Sequence, residues 1–297
     1  MLSHKKVKRH AAAMCCLLLL FALMGCTKAG KPVETTIPET TAMDLITQRE
    51  GIRTILVGVL DRYDTGTESG SFRNAQRADL LMLMIIDDLQ KNTTVLQLNP
   101  DTIVSAAVPG SAETVQIPVG LAYSYGSGGS DSFLSASKAI SNLFGGIRLD
   151  HYMIFTMDAI AAANDMLGGI ALPESGNAEP LSGQEVVEYL RYRDEADVDN
   201  SDHMNRQQQY MMAFYPPFTA NAQNDDFLAQ LTLKMGEGMS TDLTLSQMVQ
   251  MMDLLGSYEL NDSVVTLTGN ADADNGGYRF YPDEAALKQT VESLFLD

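Results

Sequence analysis

The sequence predicts a single layered α/β domain over residues 44–297, with a central mixed β-sheet flanked by helices in an α/β/α arrangement. Three observations predict it. Short, almost wholly apolar runs open the folded part of the chain. Apolar stretches of helical length, two of them ending at glycine pairs, come between them. The two kinds then alternate to the C-terminus.

The first 43 residues stand apart. Lys5, Lys6, Lys8 and Arg9 form a positive head, and residues 11–23 (AAAMCCLLLLFAL) an apolar run. The run is shorter than the roughly 20 residues that cross a bilayer and suits an export signal over 1–25. It ends in Leu23-Met24-Gly25-Cys26, which resembles the bacterial lipoprotein signal and marks Cys26 for lipidation. Residues 26–43, rich in Thr, Pro and Glu, read as a flexible tether. Cys15 and Cys16 fall in the signal, so Cys26 is the one cysteine left and no intramolecular disulfide can form. Removing four of the 20 basic residues and none of the 38 acidic ones leaves a formal charge of −22. Nucleic-acid binding needs Lys and Arg to neutralise phosphates, so that charge argues against a nucleic-acid partner.

RTILVGVL (53–60), LLMLMII (80–86) and TTVLQL (93–98) read as strands, the last two joined by the hairpin loop DDLQKN. Because they are apolar almost throughout, the sheet is expected to be covered on both faces. SDSFLSASKAISNLFGG and MDAIAAANDMLGG read as helices stopped by glycine, with strand HYMIFT (151–156) between them. Ser182 and Glu185 form a capping box for a helix ending near Leu190. The next helix is expected to start near Met204–Arg206 and stop before Pro216-Pro217. The tail adds a helix over 244–255, a strand at 264–268 and a helix from Asp283. The sequence carries no internal repeat.

Only six basic residues follow Leu149, and three of them, Arg191, Arg193 and Arg206, lie in LRYRDEADVDNSDHMNRQQQ. A spacing of two puts Arg191 and Arg193 on one side of an extended segment. Arginine presents planar, paired donors that suit phosphate, so the cluster reads as an anion site. Ion pairing with the acidic loop of Asp194, Glu195, Asp197, Asp199 and Asp202 is the alternative, and the spacing does not choose between the two. His151 opens an apolar run and reads as structural. No serine–histidine–aspartate arrangement is suggested.

In order, LVGVLDR (56–62), RADLLMLMIID (77–87), VLQLNPDT (95–102), LAYSYG (121–126) with LDHYMIFTMDAI, and LSGQEVVEYLRYRDE with RQQQ resemble the LytR-CpsA-Psr family of bacterial cell-envelope proteins. The resemblance spans nearly all of the mature chain. It implies an apolar lipid-binding groove and a phosphotransfer with Mg²⁺, moving a glycopolymer from a polyprenyl-pyrophosphate carrier to peptidoglycan. It further implies an extracytoplasmic protein held to the membrane through its N-terminal lipid. By position, Arg77, Arg191, Arg193 and Arg206 are the expected catalytic arginines. Arg191, Arg193 and His203 are expected to bind substrate, and Asp79, Asp61 and Asp101 to hold the metal. The chemistry fits, because phosphoryl transfer develops oxygen charge that fixed cations stabilise.

Three positions depart from the family pattern. Pro100 stands where the family has arginine, and His203 where it has a loop arginine. Leu60 aligns with a metal-binding aspartate, leaving Asp61 one residue off unless a bulge at the strand end restores it. The loop from Asp61 to Asp79 is also longer than usual. An active but divergent transferase, a degenerate member that binds polyprenyl-phosphate lipid or wall polymer without turnover, and an unrelated lipid-anchored solute-binding protein are the readings to separate.

Overall fold

A computed structural model describes residues 46–62, 76–108, 110–127, 129–172, 177–222, 224–261, 263–274 and 277–296. The expected signal, tether and Cys26 lie outside these residues, as does most of the loop between Asp61 and Asp79. Among the described residues no helix is long and apolar enough to cross a membrane.

The chain makes β1 (Ile52–Arg62), β2 (Gln76–Asp87) and β3 (Asn92–Leu98) as an antiparallel meander. After β4 (Ile103–Ala107), β5 (Thr114–Pro118) and helix α1 (Gly129–Leu143), β6 (His151–Thr156) joins the free edge of β1 in parallel. Late strands β9 (Met239–Thr241), β10 (Glu259–Leu260) and β11 (Val265–Thr266) complete a mixed sheet ordered β10-β3-β2-β1-β6-β9, with β11 also on β3. The apolar runs 53–60, 80–86 and 93–98 are therefore central strands, as their composition requires.

Strand alternation sends the two sets of side chains into different packing. Leu56, Leu60, Leu81, Leu83 and Leu96 meet α1 and α7 (Glu284–Phe295), where Ile140, Phe144 and Phe295 are fully buried. Val57, Val59, Leu80, Met82 and Val95 face α3 (Gly183–Arg191) and α4 (Ser201–Ala222), through Val186, Leu190 and Tyr210. Farther along that face, Ile55 and Ile86 meet α5 (Asp225–Met235) and α6 (Leu245–Ser257). Helix α2 (Met157–Met166) follows β6, its first turn capped by the Thr156 hydroxyl. The α/β/α expectation holds.

A break in register between β1 and β2 shapes the end of the sheet. Val59 pairs with Leu80, Leu60 with Ala78 and Asp61 with Arg77. Asp79 is the extra residue, a β-bulge. Ala78 therefore turns to the α1 face while Leu80 turns to the α4 face. The bulge lies on β2 and is not what places Asp61. Asp61 reaches the α4 face by the ordinary alternation of β1 beyond Val57 and Val59.

Two helix expectations need correction. Helix α4 starts at Ser201, several residues early, because the Asp197 carboxylate accepts the amides of Asp202 (3.2 Å) and His203 (2.8 Å) and caps it. It also runs through Pro216 and Pro217 to Ala222. An aromatic ladder, Tyr210–Phe214 tilted at 5.6 Å and Phe214–Phe218 stacked at 5.2 Å, packs this segment across the prolines. Thr219 Oγ1 donates to the Tyr215 carbonyl at 3.0 Å. Tertiary packing outweighs the local cost of the prolines here.

Candidate functional site

The expected residues come from β1, β2, α3 and α4 and from the segments after β3 and α3, and they meet where β1 ends and β2 begins. Helix α3 carries the capping box the sequence predicts at Ser182 and Glu185, and its last residue is Arg191. Tyr192 is extended (φ −63°, ψ 122°), so Arg193 leaves the helix on a new course. The two arginines therefore take different partners, and the expectation of a shared face from one extended segment is corrected. Arg191 donates Nε and one Nη to the two oxygens of Asp61, both at 2.6 Å. Arg193 Nη1 donates to Asp101 Oδ2 at 2.7 Å. Asp61 holds the Arg191 guanidinium, by hydrogen bond and charge against the cost of burial, with its pKa raised above the ordinary value.

Asp101 follows β3 in the turn Asn99-Pro100-Asp101-Thr102. Its amide donates to Asn99 Oδ1 at 3.0 Å. Its carboxylate is gripped from both sides by Arg77 and Arg193 and is only 2 % exposed. Asp101 thus stands in this structure as the anchor of two arginines, each of its oxygens engaged by one. Pro100 is buried on Gly120, where an added Cβ would lie 2.6 Å from the Ala78 carbonyl and 3.1 Å from Pro100 Cβ. The position held by arginine in the family is thus part of the packed turn here.

Asp79, pushed toward α4 by the bulge, meets His203 and Gln207. His203 Nδ1 donates to the Tyr192 carbonyl at 2.8 Å, and Nε2 lies 3.2 Å from Asp79 Oδ2. Burial works to lower the His203 pKa, but the Asp79 hydrogen bond and charge and the Tyr192 carbonyl outweigh it, so the pKa is raised. The Gln207 amide nitrogen lies 2.8 Å from His203 Nε2 and 3.3 Å from Asp79 Oδ2. A neutral ring accepts from Gln207, and a protonated ring donates to Asp79. Gln97 holds the Gln207 amide in place by donating to its Oε1 at 2.9 Å, and Gln208 donates to Gln97 at 2.7 Å. Asp79 Oδ1 takes no hydrogen bond among the described residues, and the side chain is 28 % exposed.

Arg206 donates to the Tyr192 carbonyl at 2.6 Å, and its guanidinium lies 4.8 Å from the Tyr192 ring. Arg193 lies 3.9 Å from the ring of Tyr278, on β13 (Gly277–Pro282), which pairs with β12 (Gly269–Asp274). Both guanidiniums are thus oriented by aromatic faces. Among the described residues, no ion pair joins these arginines to the acidic side chains of the loop after Arg193. Those side chains cap and turn their own backbone, as when Asp199 accepts from the Ser201 amide and hydroxyl at 3.1 and 2.7 Å. The reading in which the loop pairs the arginines is set aside.

Beneath α4 lies a cavity of about 210 Å³ between the sheet and α4, α5 and α6. Its walls are apolar apart from Gln207, Thr232 and two tyrosines. Gln207 belongs to both the cavity wall and the Asp79 cluster. Val59, Leu80 and Leu190, which also line it, are chain neighbours of the cluster residues. Sequence reasoning missed Gln97, Gln207, Tyr192 and Tyr278. The one signal was a glutamine set between Leu96 and Leu98 in β3.

The described residues thus form a layered α/β domain with arginines and carboxylates at one end of an apolar cavity. The chain belongs to the LytR_cpsA_psr family, whose sequence profile matches residues 21–179 and 172–295. It is 22 % identical over 245 residues to the polyisoprenyl-teichoic acid–peptidoglycan teichoic acid transferase TagU of Halalkalibacterium halodurans, covering 78 % of this chain and 74 % of that one. Its fold is similar to that of B. subtilis TagV (TM-score 0.62, 19 % identity, 83 % of this chain and 96 % of that one). It is similar also to TagT bound to LI-WTA (0.62, 16 %, 82 % and 90 %) and to protein gbs0355 of Streptococcus agalactiae (0.65, 16 %, 82 % and 87 %).

Proposed function

We propose that this protein is an extracytoplasmic, membrane-associated cell-envelope transferase that moves a glycopolymer from a polyprenyl-pyrophosphate carrier onto peptidoglycan. The observation that carries the reading is the junction at Gln207, where an apolar cavity meets the arginine–carboxylate cluster. A prenyl chain would occupy the cavity, and its pyrophosphate would then fall among Arg191, Arg193 and Arg206. The similarity to TagU supports the substrate class, and the N-terminal signal supports anchoring through a lipid on Cys26.

In this reading Arg191 exchanges Asp61 for a phosphate oxygen of like geometry. Arg77 and Arg193 keep Asp101 as their anchor and present their remaining donors to developing oxygen charge. Among the described residues no three His, Cys, Asp or Glu side chains could hold a metal by themselves. Mg²⁺ commonly uses one or two carboxylates and substrate phosphates, and Asp79, with its unclaimed oxygen, fits that role. Asp61 joins it when Arg191 turns to phosphate. The ion would supply neutralisation of the pyrophosphate charge. His203 and Asp79, 3.2 Å apart, are placed to share a proton beside the reacting oxygens.

Mg²⁺-dependent transfer of the glycosyl phosphate from a polyprenyl-pyrophosphate substrate to a peptidoglycan hydroxyl, with polyprenyl phosphate as the leaving group and abolished in Arg191→Ala/Arg193→Ala, is the expected result. The buried Pro100 and the His203 substitution favour a second reading, a family member that binds lipid without turnover. Binding without turnover, with activity gained by Pro100→Arg/His203→Arg, would establish that one instead.

A further inference from the structure

We propose that Tyr192 is a saccharide-stacking residue, its exposed ring receiving the sugar that carries the phosphate held by Arg191, Arg193 and Arg206. The inference rests on the function proposed above and assigns a specificity contact within that site.

The main chain of Tyr192 is fully committed to structure. Its amide donates to the Glu188 carbonyl at 3.1 Å, ending α3. Its carbonyl accepts from His203 Nδ1 at 2.8 Å and from Arg206 at 2.6 Å. The side chain is not committed in this way. It is 57 % exposed, and among the described residues nothing takes its hydroxyl. Arg206 lies over the ring at 4.8 Å, which holds the ring in place without burying it. Tyr278, the other ring in the cluster, is different. It is half-buried under Arg193, and its hydroxyl reaches the Glu195 carbonyl at 3.4 Å.

An exposed, positioned aromatic face has one clear use beside an anion site. Pyranose rings present patches of C–H that pack on aromatic faces while their hydroxyls stay in water, the amphipathic match that places tyrosine at interfaces. A sugar joined to a phosphate through one oxygen cannot be far from the arginines that hold the phosphate. Tyr192 has such an arginine on each side in sequence and a third against its ring.

The test uses the full chain and two probes, farnesyl diphosphate and farnesyl diphosphate bearing N-acetylglucosamine, with binding followed by calorimetry. Tyr192→Leu keeps the backbone bonds and removes the aromatic face. It is expected to weaken the sugar-bearing probe about threefold to tenfold more than the sugar-free probe, the scale of one stacking contact, any smaller loss shared by both probes measuring what the ring does through Arg206. Tyr192→Trp is expected to restore the difference. Equal weakening of both probes would show that the ring acts only by orienting Arg206 and would overturn the inference, as would no weakening of either. A natural protein that binds neither probe would overturn the proposed function itself, and with it this contact.

Discussion

The two faces of one sheet are built from alternate residues of the same strands, yet they are packed to different ends. Toward α1 and α7 the strands offer Leu56, Leu83, Leu96 and Leu98, all fully buried against Phe144 and Phe295. Toward α4, α5 and α6 they offer Met82, Met84 and Met153, and the helices reply with Met211, Met235, Met248 and Met252 around the cavity. Branched and aromatic side chains fill space with few alternatives. Methionine is flexible and adapts to what it meets. The comparison teaches that the first face holds the fold and the second holds room for something else. The Met-rich strand β2, which reads from sequence as ordinary core, contributes to both through its alternation.

The sharpest way to break this comparison is Phe295→Ala. Phe295 is fully buried, so the loss should be about 3–5 kcal/mol, measured by chemical denaturation, with prenyl diphosphate affinity unchanged in the molecules that remain folded. A smaller loss would mean the α7 face is not the better packed one. Next in size is Arg193→Ala, which removes one cation from the site and leaves Asp101 with Arg77. Turnover should fall roughly 10²- to 10³-fold, the effect of deleting one oriented donor, read as kcat under saturating substrate.

Met248→Phe tests the room directly. Filling the cavity should change stability by less than about 1.5 kcal/mol. It should weaken a farnesyl diphosphate ligand about tenfold while leaving inorganic pyrophosphate binding intact. Equal effects on both ligands would separate the cavity from the cluster. The smallest expected effect concerns His203, whose pKa is raised above 6.5 in the folded protein. A raised pKa contributes stability that is complete below pH 6.5 and is lost as pH rises through the folded value. The stability difference between the natural protein and His203→Gln should therefore shrink as pH climbs above 6.5, and a difference that grows would reverse the assignment.

The central strands and most helices were legible because long apolar runs and glycine stops leave little choice. The hairpins β4–β5, β12–β13 and β7 (Ile170–Leu172) with β8 (Asn177–Leu181), and helix α5, were not. The hairpin strands are short and their pairing is decided by neighbours, and α5 follows α4 after only two residues. One signal was present and passed over, since Asn275-Gly276 lies between alternating segments and is a hairpin turn signature. In the site, family position indicated Arg77, Asp79, Arg191, Arg193, Arg206 and His203, and the structure brings them together. Position could not show that Asp101 spends both oxygens on arginines, because the enclosure comes from three separate elements. Nor could it show that the prolines of α4 sit inside the helix, which depends on aromatic contacts along the helix and beneath it.

The bulge in β2 has a consequence for how such a site can arise or vanish. Asp79 has no place in the ladder: remove it, and Leu80, Ala78 and Arg77 still stand opposite Val59, Leu60 and Asp61. The carboxylate is an insertion into a finished hairpin and replaces nothing that the hairpin needs. Chemistry and scaffold are therefore separable at the level of a single codon. A chain that lost that codon would keep a continuous sheet and both packed faces, and would lack only the carboxylate that meets His203 and Gln207.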